Sequence, residues 1–343
     1  MIDSADVVVG LAWGDEAKGK ITSHLASLSG SKDHKTYSFV ARWAGGNNAG
    51  HTVYVGGKKY KTHLIPSGVF HGIKSVIGPA CVLHPESFFK EIDYLQSNGF
   101  DTSLIKVSPR CHIVTDEFLQ YDRRNLAEKL GTTSRGIAPT YAAKAARTGI
   151  LAKDVISPSF IWDEKLYGNV LCEGAQGVWL DLDSGNYPYV TSSTTLPYGA
   201  CSLGFPQQRI DEVWGAAKLY DTRSGQDPFF PESLLSDEAL SEIGMIGQEF
   251  GVTTGRRRKV NWLNLDLLIK SVIVTGTTRL IISKCDVIEE VGLFKLFHNK
   301  ELISFSSMYN MKKYVYDEVM KEAGESSFGF LREITFSSSP EAI

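Results

Sequence analysis

Apolar residues along this chain follow two rhythms: short β-branched runs, and longer stretches in which they recur every three or four positions. The two rhythms alternate. Val7-Val8-Val9 is apolar at consecutive positions and predicts a strand buried on both faces. It runs into a glycine-rich stretch, after which Ile21 to Leu28 predicts a helix. Pro85 to Asn98 predicts another. Proline sits in its first turn, Phe88, Phe89, Ile92 and Leu95 are spaced for one face, and Gly99 stops it. Asp116 to Leu130, closed by Gly131, and the alanine-rich Pro139 to Arg147, closed by Gly149, predict two more. Leu280-Ile281-Ile282 predicts a second buried strand, Tyr309 to Ala323 a late helix, and Leu331 to Phe336 a last strand. Such alternation predicts an α/β fold, with a mostly parallel central sheet flanked by helices. P-loop-like nucleotide-binding loops then fall at strand ends, where these sheets bind ligands.

Composition narrows the classes. A chain of 343 residues is long enough for two domains or one large α/β domain. No repeat, linker or shift in composition divides it, so residues 1–343 are read as a single domain. Lys and Arg total 36 against 39 Asp and Glu, a net charge of −3, which argues against a general nucleic-acid-binding surface. The five cysteines are scattered and never form CxxC. That excludes a disulfide framework or zinc site and fits a reducing cytoplasm. The opening MIDSADVVVG lacks the basic segment of a secretory leader, and no run of about 18 apolar residues suits a membrane span.

Candidate chemistry collects in the glycine-rich loops. Gly14 to Lys20 fits GxxxxGK, a phosphate-cradling pattern between strand and helix. The next residue is Ile21, so the usual magnesium-binding hydroxyl is absent, and Asp15 is the candidate replacement. A charged Asp-Glu pair is a poor choice for a merely structural turn. Ala44 to Thr52 carries His51, a candidate acid or base. Gly131-Thr-Thr-Ser-Arg-Gly136 and Val252-Thr-Thr-Gly-Arg-Arg-Arg-Lys259 combine hydroxyls, loop amides and guanidinium groups suited to small anions. Glu173 to Gly177 and Tyr187 to Ser193 offer adaptable donors and acceptors. Lys144 and Arg147, three apart, are expected on one helix face. Lys284-Cys285-Asp286 ends a buried strand as guanine-reading loops do: the carboxylate can accept from N1 and the 2-amino group. A GTP-binding switch and a nucleic-acid-binding regulator using Arg256 to Lys259 are the readings from other classes. Ile21 opposes the first and the net charge the second.

In their order, WGDEAKGK, GGNNAGHT, HLIPSG, GTTSRG, EGAQG, YPYVTSS, VTTGRRR and SKCD make the chain similar to adenylosuccinate synthetases over nearly its whole length. The resemblance implies a Mg²⁺-dependent ligase. A nucleoside triphosphate phosphorylates O6 of a 6-oxopurine nucleotide, and the amino group of L-aspartate then displaces phosphate at C6. It implies Asp15 as the base at N1 and a Mg²⁺ ligand, His51 as the acid partner at O6, and the Gly50 carbonyl as a second Mg²⁺ ligand. It places Asn48, Thr133, Gln176, Leu180, Thr191, Ser224 and Arg256 at the acceptor nucleotide, with Arg147 reaching it across a homodimer interface. Thr253, Thr254 and Arg256 match the aspartate loop. Lys18, Gly19, Thr52 and Arg258 match the donor's phosphate end, and Lys284, Asp286, Ser337 and Ser339 its base. GTP is the expected donor, with ATP or dATP as alternatives.

The chain departs from the common members in length and at four positions. It is shorter, chiefly between Ile150 and Asn169. Ala17 and Ser134 replace glycines, Ser224 stands where valine is usual, and Ser339 replaces a glycine in the donor-base loop. Short relatives include archaeal enzymes and phage enzymes, and the phage group acts on dGMP to supply 2-aminoadenine for phage DNA. The extra serines favour dGMP as acceptor, with IMP as the alternative. The expected location is the cytoplasm, that of the host for a phage-encoded chain.

Overall fold

The computed structural model describes residues 1–228, 230, 237–251, 255–324, 329–339 and 343. Eight strands form its central sheet: β1 (Ile2–Gly10), β2 (Tyr37–Arg42), β3 (Lys74–Ile77), β4 (Ile105–Val107), β5 (Gly168–Glu173), β6 (Ile210–Lys218), β7 (Arg279–Ser283) and β8 (Glu333–Phe336). Their order is β8-β7-β6-β1-β5-β2-β3-β4, and every pairing is parallel. Successive residues of a strand face opposite sides. Val7 and Val9 accordingly enter one apolar cluster, with Phe39, Val170 and Leu280, while Val8 enters the other, with Ile21, Leu25, Val40 and Leu171. Burial on both faces explains why β1 reads as an unbroken valine run. A smaller sheet joins Tyr220–Arg223, Lys259–Asn264, Phe294–His298 and Glu301–Phe305 beside the end of β6.

Helix boundaries differ from expectation where loop chemistry intervenes. The first helix, α1, spans Lys18–Ser27, three residues ahead of Ile21. Ala17 precedes it with φ 67°, a left-handed conformation that turns the loop straight into the helix. The expected Asp116–Leu130 helix is two, Asp116–Asn125 and Ala127–Leu130. In the last turn of the first, Asp122 is turned inward, accepting from Thr132 Oγ1 at 2.6 Å and Gly136 N–H at 2.8 Å, which folds the following loop back. The alanine-rich helix is Ile137–Ala146, and Arg147 itself ends it with φ 66°. Lys144 and Arg147 therefore do not share a helix face. The remaining expected elements are present as Pro85–Ser97, Arg279–Ser283, Met308–Val319 with a π-turn to Gly324, and Glu333–Phe336. No helix among the described residues is long and apolar enough to cross a membrane.

Candidate active site

The carboxyl ends of β1, β2 and β5 open onto a cavity of about 330 Å³. Nine of the predicted residues line it: Asp15, Asn48, Gly50, His51, Thr133, Gln176, Leu180, Thr191 and Ser224. They come from five loops separated by up to 209 positions, and the parallel sheet brings them to one edge.

The loop after β1 is held by the acid next to Asp15. Glu16 is buried and its Oε1 accepts from the Ala12 N–H at 3.0 Å and the Gly14 N–H at 2.6 Å. Its Oε2 takes Lys18 Nζ at 2.8 Å, and Lys18 also donates to the Gly14 carbonyl at 3.0 Å. Half of the Asp-Glu pair is thus structural, contrary to expectation, because the loop's own amides and Lys18 draw the Glu16 carboxylate inward. Asp15 faces the cavity. Its Oδ1 is 2.7 Å from Arg258 Nη2, and its Oδ2 accepts from Ser224 Oγ at 3.3 Å.

His51 begins the strand His51–Val55 and is buried. Its Nδ1 is hydrogen-bonded to Glu173, the last residue of β5. Glu173 also accepts from the Ser67 N–H at 2.7 Å and from Ser67 Oγ at 3.0 Å. With Nδ1 committed, Nε2 is the ring nitrogen left for a ligand. Burial pulls the imidazole below its ordinary pKa, opposed by Glu173. Burial would raise the Glu173 carboxyl, but His51, Arg42 and the Ser67 N–H bring it below its usual range. Gly19 makes the packing possible: a Cβ there would stand 2.7 Å from His51 Cβ.

The predicted donor-base residues gather at the start of α1, around Lys20. Lys20 Nζ donates to Ser337 Oγ at 2.7 Å and to the Ser339 carbonyl. Lys284 Nζ donates to the Gly247 carbonyl at 2.9 Å, and Asp286 is exposed in the first turn of Cys285–Val291. Burial lowers Lys20 to about 8, with Asp286 acting against it. Thr52 is half-buried in the strand His51–Val55. Arg256 is exposed, with Nη1 3.5 Å from the Gly131 and Thr132 carbonyls. Arg147 is exposed and does not line the cavity of its own chain. Thr253 and Thr254 lie outside the described residues.

Sequence reasoning missed Glu16 as a loop staple, Glu173 as the partner of His51, Lys20 as the tie to the carboxyl-terminal loop, and Arg223. Arg223 lines the cavity and donates to the Tyr189 and Gln226 carbonyls at 2.9 and 3.2 Å. An acid at the end of an apolar strand was the available signal for Glu173. Gln176 Oε1 is buried and has no protein partner among the described residues, leaving an acceptor for a ligand's N–H beside the cavity.

The sequence model of the adenylosuccinate synthetase family matches residues 7–168 and 157–301. The chain is 37% identical to an adenylosuccinate synthetase of Brevibacillus brevis, across 90% of this chain and 84% of that protein. It is 35% identical to one of Lachancea thermotolerans, across 89% and 85%. Its structure is similar to a fully ligated adenylosuccinate synthetase from Plasmodium falciparum, with a TM-score of 0.80, 26% identity and 98% of each chain covered. It also shares the fold of a cyanophage S-2L succinoaminodeoxyadenylate synthetase bound to dGMP, with dATP as energy donor. There the TM-score is 0.73, the identity 16% and the coverage 99% and 94%.

Proposed function

The chain belongs to the adenylosuccinate synthetase family, ligases that form a C–N bond, and from that premise we propose that it joins L-aspartate to C6 of dGMP. The observation that carries the acceptor assignment is the contact between Ser224 and Asp15. In this reading Asp15 takes the N1 proton of the purine. With the purine oriented so that its C2 side meets Ser224, the hydroxyl 3.3 Å from Asp15 Oδ2 would face the position where guanine carries an amino group and hypoxanthine carries hydrogen. Ser224 can accept from that amino group, and valine could not.

Asp15 removes the N1 proton, and the electron pair moves to O6. O6 attacks the γ-phosphorus of GTP, the bond to the β–γ bridging oxygen breaks, and GDP leaves. The aspartate amino group then attacks C6, and the C6–O bond breaks with release of phosphate and a proton. His51, fixed through Nδ1 by Glu173, donates from Nε2 toward O6 and the transferring group. Anionic phosphates at Nε2 add to the pull of Glu173 and offset the burial that lowers the ring's pKa. Asp15, and Gly50 through its backbone, give the cavity hard oxygen donors that suit Mg²⁺ completed by substrate phosphates. Bound there, the ion would neutralise charge on the phosphoryl group. Lys18, Gly19, Thr52 and Arg258 serve the donor's phosphates, and Lys284, Asp286, Ser337 and Ser339 its base. Asn48, Thr133, Gln176, Leu180 and Thr191 serve the acceptor, and Thr253, Thr254 and Arg256 the aspartate. Arg147, exposed and away from its own cavity, is assigned to the acceptor phosphate of a second subunit. The whole chain acts as one domain, in a reducing cytoplasm that keeps its five cysteines as thiols.

IMP is the second reading, favoured by the 35–37% identity to adenylosuccinate synthetases. The two are separated by incubating the protein with L-aspartate, Mg²⁺, GTP and equal dGMP and IMP, followed by mass spectrometry. The dGMP adduct should predominate. Ser224→Val should then lower it roughly three- to ten-fold relative to the IMP adduct, the worth of one hydrogen bond. An adduct from IMP alone overturns the dGMP assignment.

A further inference from the structure

In a GxxxxGK loop the closing lysine reaches the β- and γ-phosphates of the nucleotide. Here that lysine is Lys20, and its surroundings assign it elsewhere. It is buried and does not line the cavity that holds Asp15. An ammonium has three hydrogens to donate. Lys20 gives one to Ser337 Oγ at 2.7 Å and one to the Ser339 carbonyl, and the third has no partner among the described residues. Ser337 is itself held between two elements: its N–H donates to the Ile282 carbonyl at 2.8 Å, and its carbonyl accepts from the Cys285 N–H at 3.2 Å. The helix Cys285–Val291 starts there and carries Asp286 in its first turn. Asp286 is the charged group that acts most on Lys20, ahead of Cys285 and Lys284. A fixed cation and an exposed carboxylate therefore share the corner where α1 begins and β7 and β8 end.

We propose that Lys20 selects the donor base: its remaining hydrogen is offered to O6 of a guanine nucleotide whose N1–H and 2-amino group are bound by Asp286. The inference rests on the assignment of the donor base to Lys284, Asp286, Ser337 and Ser339, and names the residue that separates guanine from adenine there. Along that edge guanine sets one acceptor, O6, beside two donors. A cation next to a carboxylate is its complement. Adenine carries a 6-amino donor in place of O6, a bare N1 and hydrogen at C2. The ammonium would then meet a donor and the carboxylate a lone pair, and both contacts repel. A lysine ammonium is a point charge on a flexible stem. Ser337 and Ser339 hold this one, so it does not swing aside to accommodate the wrong base. Burial lowers Lys20 to about 8, which leaves it charged at neutral pH.

The test is calorimetric binding of GDP, inosine diphosphate and ADP, each with Mg²⁺, to the wild-type protein and to Lys20→Met. The wild type should prefer GDP to ADP. Lys20→Met should weaken GDP roughly ten- to hundred-fold, the worth of a hydrogen bond to a charged group. Inosine diphosphate, which keeps O6 and lacks the 2-amino group, should lose the same factor, and ADP should bind as before. Equal weakening of GDP and ADP would make Lys20 a support of the fold or of the phosphates and overturn the proposal. So would an unchanged GDP affinity, or a wild type with no preference for GDP. Should Lys20→Met not fold, Lys20→Gln keeps a neutral N–H for the Ser339 carbonyl and should lose the GDP preference in the same way. Binding of neither nucleotide to the wild type overturns the donor site and this inference with it. No acceptor, aspartate or turnover is needed. A wild type that makes no adduct yet keeps a guanine preference dependent on Lys20 counts against the proposed reaction alone.

Discussion

Asp221 is a buried carboxyl whose burial outweighs the groups that favour its charge. It follows Tyr220 in the strand beyond β6, is buried, and accepts from the Asn264 N–H at 2.9 Å. Burial raises its carboxyl to about 7, against the pull of that N–H and of Lys218 and with the push of Glu16. A carboxyl raised on folding favours the protonated folded state. Its contribution is therefore complete below the unfolded value and is lost as pH rises through about 7. Asp221→Asn should leave stability unchanged near pH 4 and raise it on the order of 2–4 kcal/mol at pH 8, measured by urea unfolding at both. Equal effects at both pH values would contradict this. At this scale the sequence was legible by residue type and not by role. Asp15 and Glu16 are chemically alike and adjacent, and only the turn decides that Glu16 binds the Ala12 and Gly14 amides while Asp15 faces the cavity. The one sequence signal for the left-handed φ of Ala17 is the glycine that common members carry there; for a residue with a Cβ the conformation costs about 1–2 kcal/mol.

Elements were more legible, because periodicity reports local burial directly. Val7-Val8-Val9 and Leu280-Ile281-Ile282 are strands, and Pro85–Ser97 carries its apolar face inward through Phe88, Ile92 and Leu95. Legibility failed where a backbone conformation or an inward polar group overrode the pattern, at Arg147 and at Asp122. The approach of α1 to the strand His51–Val55 was also hidden, since it depends on an atom that Gly19 lacks. Gly19→Ala must displace either α1 or the imidazole. Turnover should fall by about 10²-fold, as for a misplacement near 1 Å, while circular dichroism stays that of the folded protein. Unchanged turnover in steady-state kinetics would show that this contact does not position His51.

For the whole molecule, the parallel sheet accounts for the site. It sets the ends of β1, β2 and β5 side by side, so residues far apart in the chain share one cavity. The motifs named the loops. They did not reveal the long-range ties between them: His51 with Glu173, Lys20 with Ser337, and Glu249 with Lys218 and Arg258. Each tie joins common residue types across 9 to 317 positions, and no local pattern marks such a pair. On the proposed function, this assembly activates O6 as a phosphate ester before aspartate attacks. This step is tested most directly with an acceptor nucleotide carrying ¹⁸O at O6, incubated with L-aspartate, Mg²⁺ and GTP, and mass analysis of the phosphate released. One ¹⁸O should appear in that phosphate for each succino-adduct formed. Adduct accompanied by unlabelled phosphate would contradict it.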